Sequence, residues 1–294
     1  MEKKMCIVQI GNESRSYEVG TTYQEIAEEY QKEYAHSIVL VNLNHNRLQE
    51  LGRTLEQDCR IAFVTTADQI GHETYRRSMS FLLVKAVHRV CGRENVERVR
   101  IHFSVSKGYY CTLEGKVTPD EAFLSKVAAC MRELCEAKLP IRKRSVRTRE
   151  AVELFRRHGM YDKERLFEYR RVSSVNIYSI NEFEDYYYGY MVPDTSYLKY
   201  FSLHLYDEGF VLQMPTADEP EKVPPFEPQQ KLFQVLKQSV EWGDVQDIET
   251  VGALNDRVTK DNMQEAVLVQ EAHQERQIGE IAKQIAEHSD VKMV

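Results

Sequence analysis

Residues 71–88, GHETYRRSMSFLLVKAVH, decide how this chain is to be read. Placed on a helix at about 100° per residue, Tyr75, Met79, Leu82, Leu83, Ala86, Val87 and Val90 fall in one apolar stripe, the pattern of a core-facing surface. Arg77, Phe81, Val84 and His88 form a second row at i, i+4, i+7 and i+11 on another side. A surface helix would carry charge along such a row. Here one arginine is followed by two apolar side chains, so the helix is expected to be covered on two sides or to line a cleft.

Length and composition set the outer bounds. A chain of 294 residues suggests about two or three domains. With 42% hydrophobic and 29% charged residues it has the make-up of folded globular protein rather than disorder. A formal net charge of −7 excludes a generic polyanion binder, so any nucleic-acid contact needs a local basic patch. Cys6, Cys59, Cys91, Cys111, Cys130 and Cys135 show neither CxxC pairs nor metal spacing and are expected to be reduced structural thiols. No apolar run is long enough to span a membrane and no leader pattern is present, so no membrane partner is expected and the cytoplasm is the expected compartment.

Upstream of the helix, residues 5–10 (MCIVQI) predict a strand, Gly11-Asn12 a turn, and residues 16–19 the returning strand. Thr22 is placed to cap a helix over 23–33 whose core edge is Ile26, Ala27 and Tyr30. Strands follow at 38–41 and 60–65, separated by a turn at 42–46. The order ββαββ with one crossing helix is a β-grasp arrangement. The stretch SYEVGTTYQEIA (16–27) resembles the G-T-T-x-x-E-I-A signature of TGS domains, and VNLNHNRLQEL (41–51) resembles their next strand and turn. TGS domains take their name from threonyl-tRNA synthetases, certain GTPases and (p)ppGpp synthetase/hydrolases; the resemblance implies an accessory module without catalytic residues.

Downstream, VRIHFSVSKGYYCTL (99–113) predicts a hairpin turning at Ser106-Lys107-Gly108. Residues 119–136 predict a helix with Thr118 as N-cap, Glu121 completing a capping box, and Phe123, Val127, Met131 and Leu134 facing the core. A basic strand and linker (138–149), a helix over 149–158 ended by Gly159, and an aromatic, strand-rich stretch (169–214) complete the segment. In this order after a TGS-like domain, the stretches GHETYRRSMSFLLVKAV, VSKGYYCTL, TPDEAFLSKVAACMRELCE, IRKRSVRTREAVELFRRHG and EDYYYGYMVPDT are similar to the second N-terminal (editing) domain of threonyl-tRNA synthetases. The expected fold class is therefore α+β: a β-grasp TGS domain (1–67), an editing-like α+β domain (68–215), a Pro-rich linker (216–230) and a helical segment (231–294).

The editing family's chemistry depends on H-x-x-x-H-L-L on the long helix and C-x-x-x-H before a V-P dipeptide. Together these make a His/Cys cluster able to hold Zn²⁺ or orient water for hydrolysis of a mischarged aminoacyl ester. Alignment on Leu82-Leu83 puts Arg77 and Phe81 at the histidine positions; alignment on Val192-Pro193 puts Tyr187 and Met191 at the cysteine and histidine positions. All four ligands are replaced, so no catalytic residue and no metal site is expected. Two outcomes are compatible with these residues. One is a repurposed pocket in which an aromatic ring stacks on a base while Arg77 takes a phosphate or carboxylate. The other is a site filled in as core, with Arg77 satisfied by Glu182, Glu184 or Asp185. His72, His88 and His102 have no partner at metal spacing and are expected to be structural, and the Tyr186–Tyr190 run to pack on neighbouring strands.

Lys138, Arg142, Lys143, Arg144, Arg147 and Arg149, with Arg156 and Arg157 close in sequence, form the densest basic cluster. They suit either a nucleic-acid backbone, with tRNA or a nucleotide as partner, or a solvated edge strand protected by cations. Toward the C-terminus, a Pro-rich arm leads to helices predicted over 230–242 and 261–288, the latter bent or interrupted near Gly279, and then to an apolar, β-prone VKMV (291–294). TGS, editing-like domain and an LND … EAHQERQIGEIAKQIA helix in this order look like the N-terminal half of bacterial uridine kinase-type nucleoside kinases. That resemblance implies a P-loop, G-x-x-x-x-G-K-[ST], just beyond Val294, and no such motif lies within the chain. The expectation is a non-catalytic accessory or regulatory region whose partner is its own C-terminal kinase domain. ATP and Mg²⁺ would belong to that domain, and no cofactor to this chain. The alternatives are a degenerate aminoacyl-tRNA deacylase-like module or an RNA-binding module.

Overall fold

The computed structural model describes residues 4–260 and 263–288. Two compact units emerge, one formed by residues 1–151 and 172–234, the other by 152–171 and 235–294. Residues 152–171, which the sequence assigns to the editing-like domain, thus group with the C-terminal helices.

The first unit begins with the β-grasp domain. β1 (Met5–Ile10), β2 (Glu13–Glu18), β3 (Ile38–Leu43), β4 (Arg47–Glu50) and β5 (Cys59–Thr65) form one sheet in the order β2-β1-β5-β3-β4, with β1 and β5 parallel. α1 (Tyr23–Tyr30) crosses it, and Val8, Ile26, Leu51, Leu55 and Ile61 close the core between them. Thr22 caps α1 in a full capping box with Glu25, satisfying amides that the first helical turn leaves orphaned. β4 is the strand missing from the ββαββ expectation. Its sequence, RLQE, has a single apolar residue, and it forms because Asn44 and His45 take positive φ (52° and 63°) and fold it back on β3.

The remainder of this unit is the editing-like α+β domain. α2 (Gln69–Cys91) packs against β6 (Val96–Val105) and α3 (Glu121–Glu136). One four-stranded antiparallel sheet runs β11-β12-β7-β6, where β7 is Gly108–Gly115, β11 Ser202–Tyr206 and β12 Gly209–Gln213. A second sheet runs β10-β9-β8, with β8 Ile141–Arg147, β9 Ser174–Ile180 and β10 Phe183–Tyr186. α2 is buried on both predicted sides: Met79, Leu82, Leu83 and Ala86 in the stripe, and Phe81 in the second row. It approaches β5 so closely at Gly71 that an added Cβ would lie 1.9 Å from the Thr65 carbonyl oxygen; only glycine fits there. α3 is capped by Asp120, whose carboxylate accepts from the Phe123 amide at 2.7 Å, and not by Thr118 with a Glu121 capping box as the sequence suggested. The Pro-rich stretch 216–230 is no free linker. Gln213 Nε2 donates to the Pro224 and Pro225 carbonyls at 3.0 Å, Ser106 Oγ to that of Glu227, and Phe226 stacks on His204.

α4 (Thr148–Arg157) crosses from the first unit into the second. There α5 (Tyr161–Glu168), absent from the sequence expectation, packs on α7 (Val251–Lys260), where Gly252 lies against the backbone of Leu166 and Arg165. Asp256 accepts from Arg165, Tyr169 and Lys260. α6 (Gln230–Val245) enters this unit at residue 235. α8 (Met263–Glu287) continues unbroken through Gly279, and Trp242 stacks on its His273. The predicted helix start at Asp261 and the β-prone 291–294 lie outside the described residues. Among those residues, no helix is long and apolar enough to cross a membrane.

Candidate functional site

Two elements bring the four replaced positions together. α2 supplies Arg77 and Phe81; the chain leaving β10 supplies Tyr187 and Met191. Phe81 is 0% exposed and Met191 1%, so neither lines an open cleft. The Phe81 ring packs on Tyr187 with centroids 5.3 Å apart and on Phe183 at 5.7 Å. Burying a phenylalanine at this depth stabilises by about 2–3 kcal/mol before packing is counted. Ser78, one turn before Phe81 on α2, clamps the returning chain: its Oγ accepts from the Val192 amide at 3.0 Å and lies 3.3 Å from Met191 Sδ. Of the two outcomes weighed for these residues, the burial of Phe81 and Met191 favours side chains that fill the space over side chains that surround it.

Arg77 is satisfied, though not by the acids named from sequence. Its guanidinium donates to the Tyr190 carbonyl at 2.9 Å and lies against Gly189, where φ is +118° and an added Cβ would come within 2.6 Å of Cζ. Of the three candidate acids, Glu184 pairs instead with Arg144 at 2.9 Å. Burial holds the Tyr187 phenol well above its ordinary value, so it stays protonated through the physiological range.

The residue missed from the sequence is Glu50. Carried by β4 of the β-grasp sheet and only 8% exposed, it accepts from the Tyr178 hydroxyl at 2.6 Å and the Met191 amide at 3.0 Å. Lys143 of β8 completes an ion pair with it at 3.1 Å. Three donors saturate a carboxylate that would otherwise be costly to bury. Burial first, and the Glu50 charge second, push the Tyr178 phenol upward. The same hydroxyl lies 2.5 Å from the Gly189 carbonyl, which ties the cluster to the loop holding Arg77. No sequence signal marks Glu50, because its partners Lys143, Tyr178 and Met191 all lie on distant parts of the chain, the last two 128 and 141 residues away.

The remaining candidates are dispersed. His72 faces desolvation that lowers its pKa, His88 packs on Phe183, and His102 shares a hydrogen bond with Thr112 at 2.7 Å. No group of three His, Cys, Asp or Glu able to hold a metal occurs among the described residues, and the six cysteines are free thiols. In the basic cluster, Lys143 is taken by Glu50, and Arg144 by Glu184 and Glu150. Lys138, Arg142, Arg147 and Arg149 are exposed, the middle pair on the edge strand β8. Arg156 pairs with Glu164 at 2.6 Å within the second unit.

No family model matches the chain. It is similar to threonine–tRNA ligases. That of Thermotoga neapolitana is 33% identical over 203 residues, covering 68% of this chain and 30% of the ligase. That of Thermotoga maritima is 32% identical over 192 residues, covering 64% and 29%. That of Francisella tularensis subsp. novicida is 28% identical over 189 residues, again 64% and 29%. The chain spans about 30% of the length of the curated relatives it matches, and its homology is to their N-terminal region, in keeping with the TGS and editing-like α+β fold.

Proposed function

We propose, from this homology to the N-terminal region of threonine–tRNA ligases, that the chain is a non-catalytic accessory region that acts by binding rather than by hydrolysis. The burial of Phe81 and Met191 carries the proposal. Ester hydrolysis needs a group that accepts a proton near neutral pH, or a metal that activates water. Arg77 is a hydrogen-bond donor held on the Tyr190 carbonyl, Tyr187 remains protonated, and the nearby carboxylate of Glu50 is occupied by three donors. Seryl-tRNA incubated with the chain is expected to lose its ester at the buffer rate. Faster loss would overturn the proposal.

The setting we infer is a regulatory N-terminal region of a nucleoside (uridine) kinase-like protein. Its support is the similarity of the α7–α8 sequence, LND … EAHQERQIGEIAKQIA, following a TGS and an editing-like domain. ATP and Mg²⁺ would then be handled by a P-loop that the 294 residues do not contain. Uridine and ATP with this chain alone should give no phosphorylated product. Added in trans to a uridine kinase-type domain, the chain should change kcat or KM; an unchanged enzyme would remove the kinase partnership.

An RNA-binding role is the second possibility, favoured by the exposed Lys138, Arg142, Arg147 and Arg149 and by relatives named as tRNA ligases. Tight tRNA binding with no effect on a kinase domain would prefer it.

A further inference from the structure

A cavity of about 400 Å³ opens beside the C-terminal end of α3, made from residues other than those around Phe81. Its cations are Arg132 on α3, Lys138 just beyond the helix end, and Lys199 after the short 3-10 turn Thr195–Tyr197. Glu136 is the one carboxylate in the lining. None of the three cations is in an ion pair among the described residues, in a chain whose net charge is −7. Elsewhere in the first unit, Lys143, Arg144 and Arg98 are each taken by an acid. Lys138 also holds a left-handed backbone (φ 48°), an uncommon conformation for a side chain of its size.

The walls suit a ligand with an apolar body. Phe201 forms one side, with the Arg132 guanidinium 5.7 Å from its ring centroid, and Ser196 offers a hydroxyl. Cys135, also in the lining, donates its thiol to the Leu198 carbonyl at 3.0 Å. Burial pushes that thiol up to about 11, so it is neither a nucleophile nor a metal-binding thiolate near neutrality. The cavity's volume is within the range of small-molecule sites. Three cations against one carboxylate leave an excess of two positive charges, which matches a phosphate dianion better than a single carboxylate.

We propose that this cavity binds an organic phosphate of mononucleotide size, with the phosphoryl group between Arg132, Lys138 and Lys199 and the apolar body against Phe201. The proposal goes beyond the accessory role above and does not depend on it. Phosphate could reach these cations as a free nucleotide or as part of an RNA strand, and the experiment separates the two.

Isothermal titration of the full chain at low ionic strength uses uridine 5′-monophosphate, adenosine 5′-monophosphate, uridine, inorganic phosphate and a short single-stranded RNA. The mononucleotides are expected to bind, uridine to give no heat, and affinity to fall as salt is raised. Arg132→Glu and Lys199→Glu should each weaken mononucleotide binding about tenfold or more, equivalent to about 1.4 kcal/mol. Both residues are exposed, so circular dichroism and thermal midpoints should stay at wild-type values without ligand. Absence of heat with both mononucleotides would overturn the proposal, as would unchanged affinity in both variants. Binding of the RNA alone, weakened by Lys199→Glu, would overturn it in favour of a polynucleotide contact.

Discussion

At Glu50 a carboxylate has been taken almost wholly out of water and repaid with three donors. Such an arrangement is asymmetric: removing one partner strands the other, while replacing both costs little. Glu50→Ala should therefore lower stability by about 3–5 kcal/mol, because Lys143 is left part-buried without its carboxylate. The pair Glu50→Gln with Lys143→Met should recover most of that loss. Urea unfolding of Glu50→Gln, Lys143→Met and the double variant gives the coupling directly, and additive losses would show that the ion pair is not what holds the cluster. Phe81 makes a different demand, one of volume. Phe81→Ala should cost about 3–5 kcal/mol if the ring fills space between α2 and the chain after β10, and Phe81→Leu much less. A near-neutral alanine variant would mean that the ring stands in an open pocket.

Among the elements, the long periodic ones are legible in the sequence. The α2 stripe, the 99–113 hairpin and the helix over 119–136 all follow from spacing, since Met79, Leu83, Val127 and Met131 repeat at the helical period. β4 was not legible, because RLQE is short and polar and owes its pairing to the turn before it. The cap of α3 was legible only to within two residues: Thr118 and Asp120 are both good caps, and local sequence does not choose between them. Asp120→Ala should cost about 1 kcal/mol and Thr118→Ala next to nothing, read from thermal midpoints. In the second unit, α5 and α7 are joined at Asp256. Hydrogen bonds from Lys260, Tyr169 and Arg165, in that order of effect, hold its carboxyl well below the usual carboxylate range. A depressed folded-state value contributes stability that is complete above the unfolded value of about 4 and is lost as pH falls below it. Helical circular dichroism of the wild type and Asp256→Asn should therefore differ at neutral pH and converge toward pH 2. A constant difference across that range would show that the carboxylate's charge does not matter to the pairing.

For the molecule as a whole, an acidic chain can hold RNA only through a local field. Among the described residues, four exposed cations between residues 138 and 149 stay outside ion pairs once Glu50, Glu150 and Glu184 have taken their partners. If they meet a tRNA backbone, the logarithm of affinity should fall linearly with the logarithm of salt concentration. Arg142→Glu with Arg147→Glu should then abolish binding in filter or fluorescence assays, whereas salt-independent binding would point elsewhere. The candidate site was half legible: the motif comparison singles out Arg77, Phe81, Tyr187 and Met191, but not the carboxylate beside them, because it arrives from another sheet. That arrival also orders events in time. Glu50 precedes two of its three partners by more than a hundred residues, so during synthesis its hydrogen bonds wait at the end of β4 until Tyr178 and Met191 have emerged. Closing so long a loop is slow and adds its entropy late. The drying of this one glutamate therefore waits on chain made long after β4.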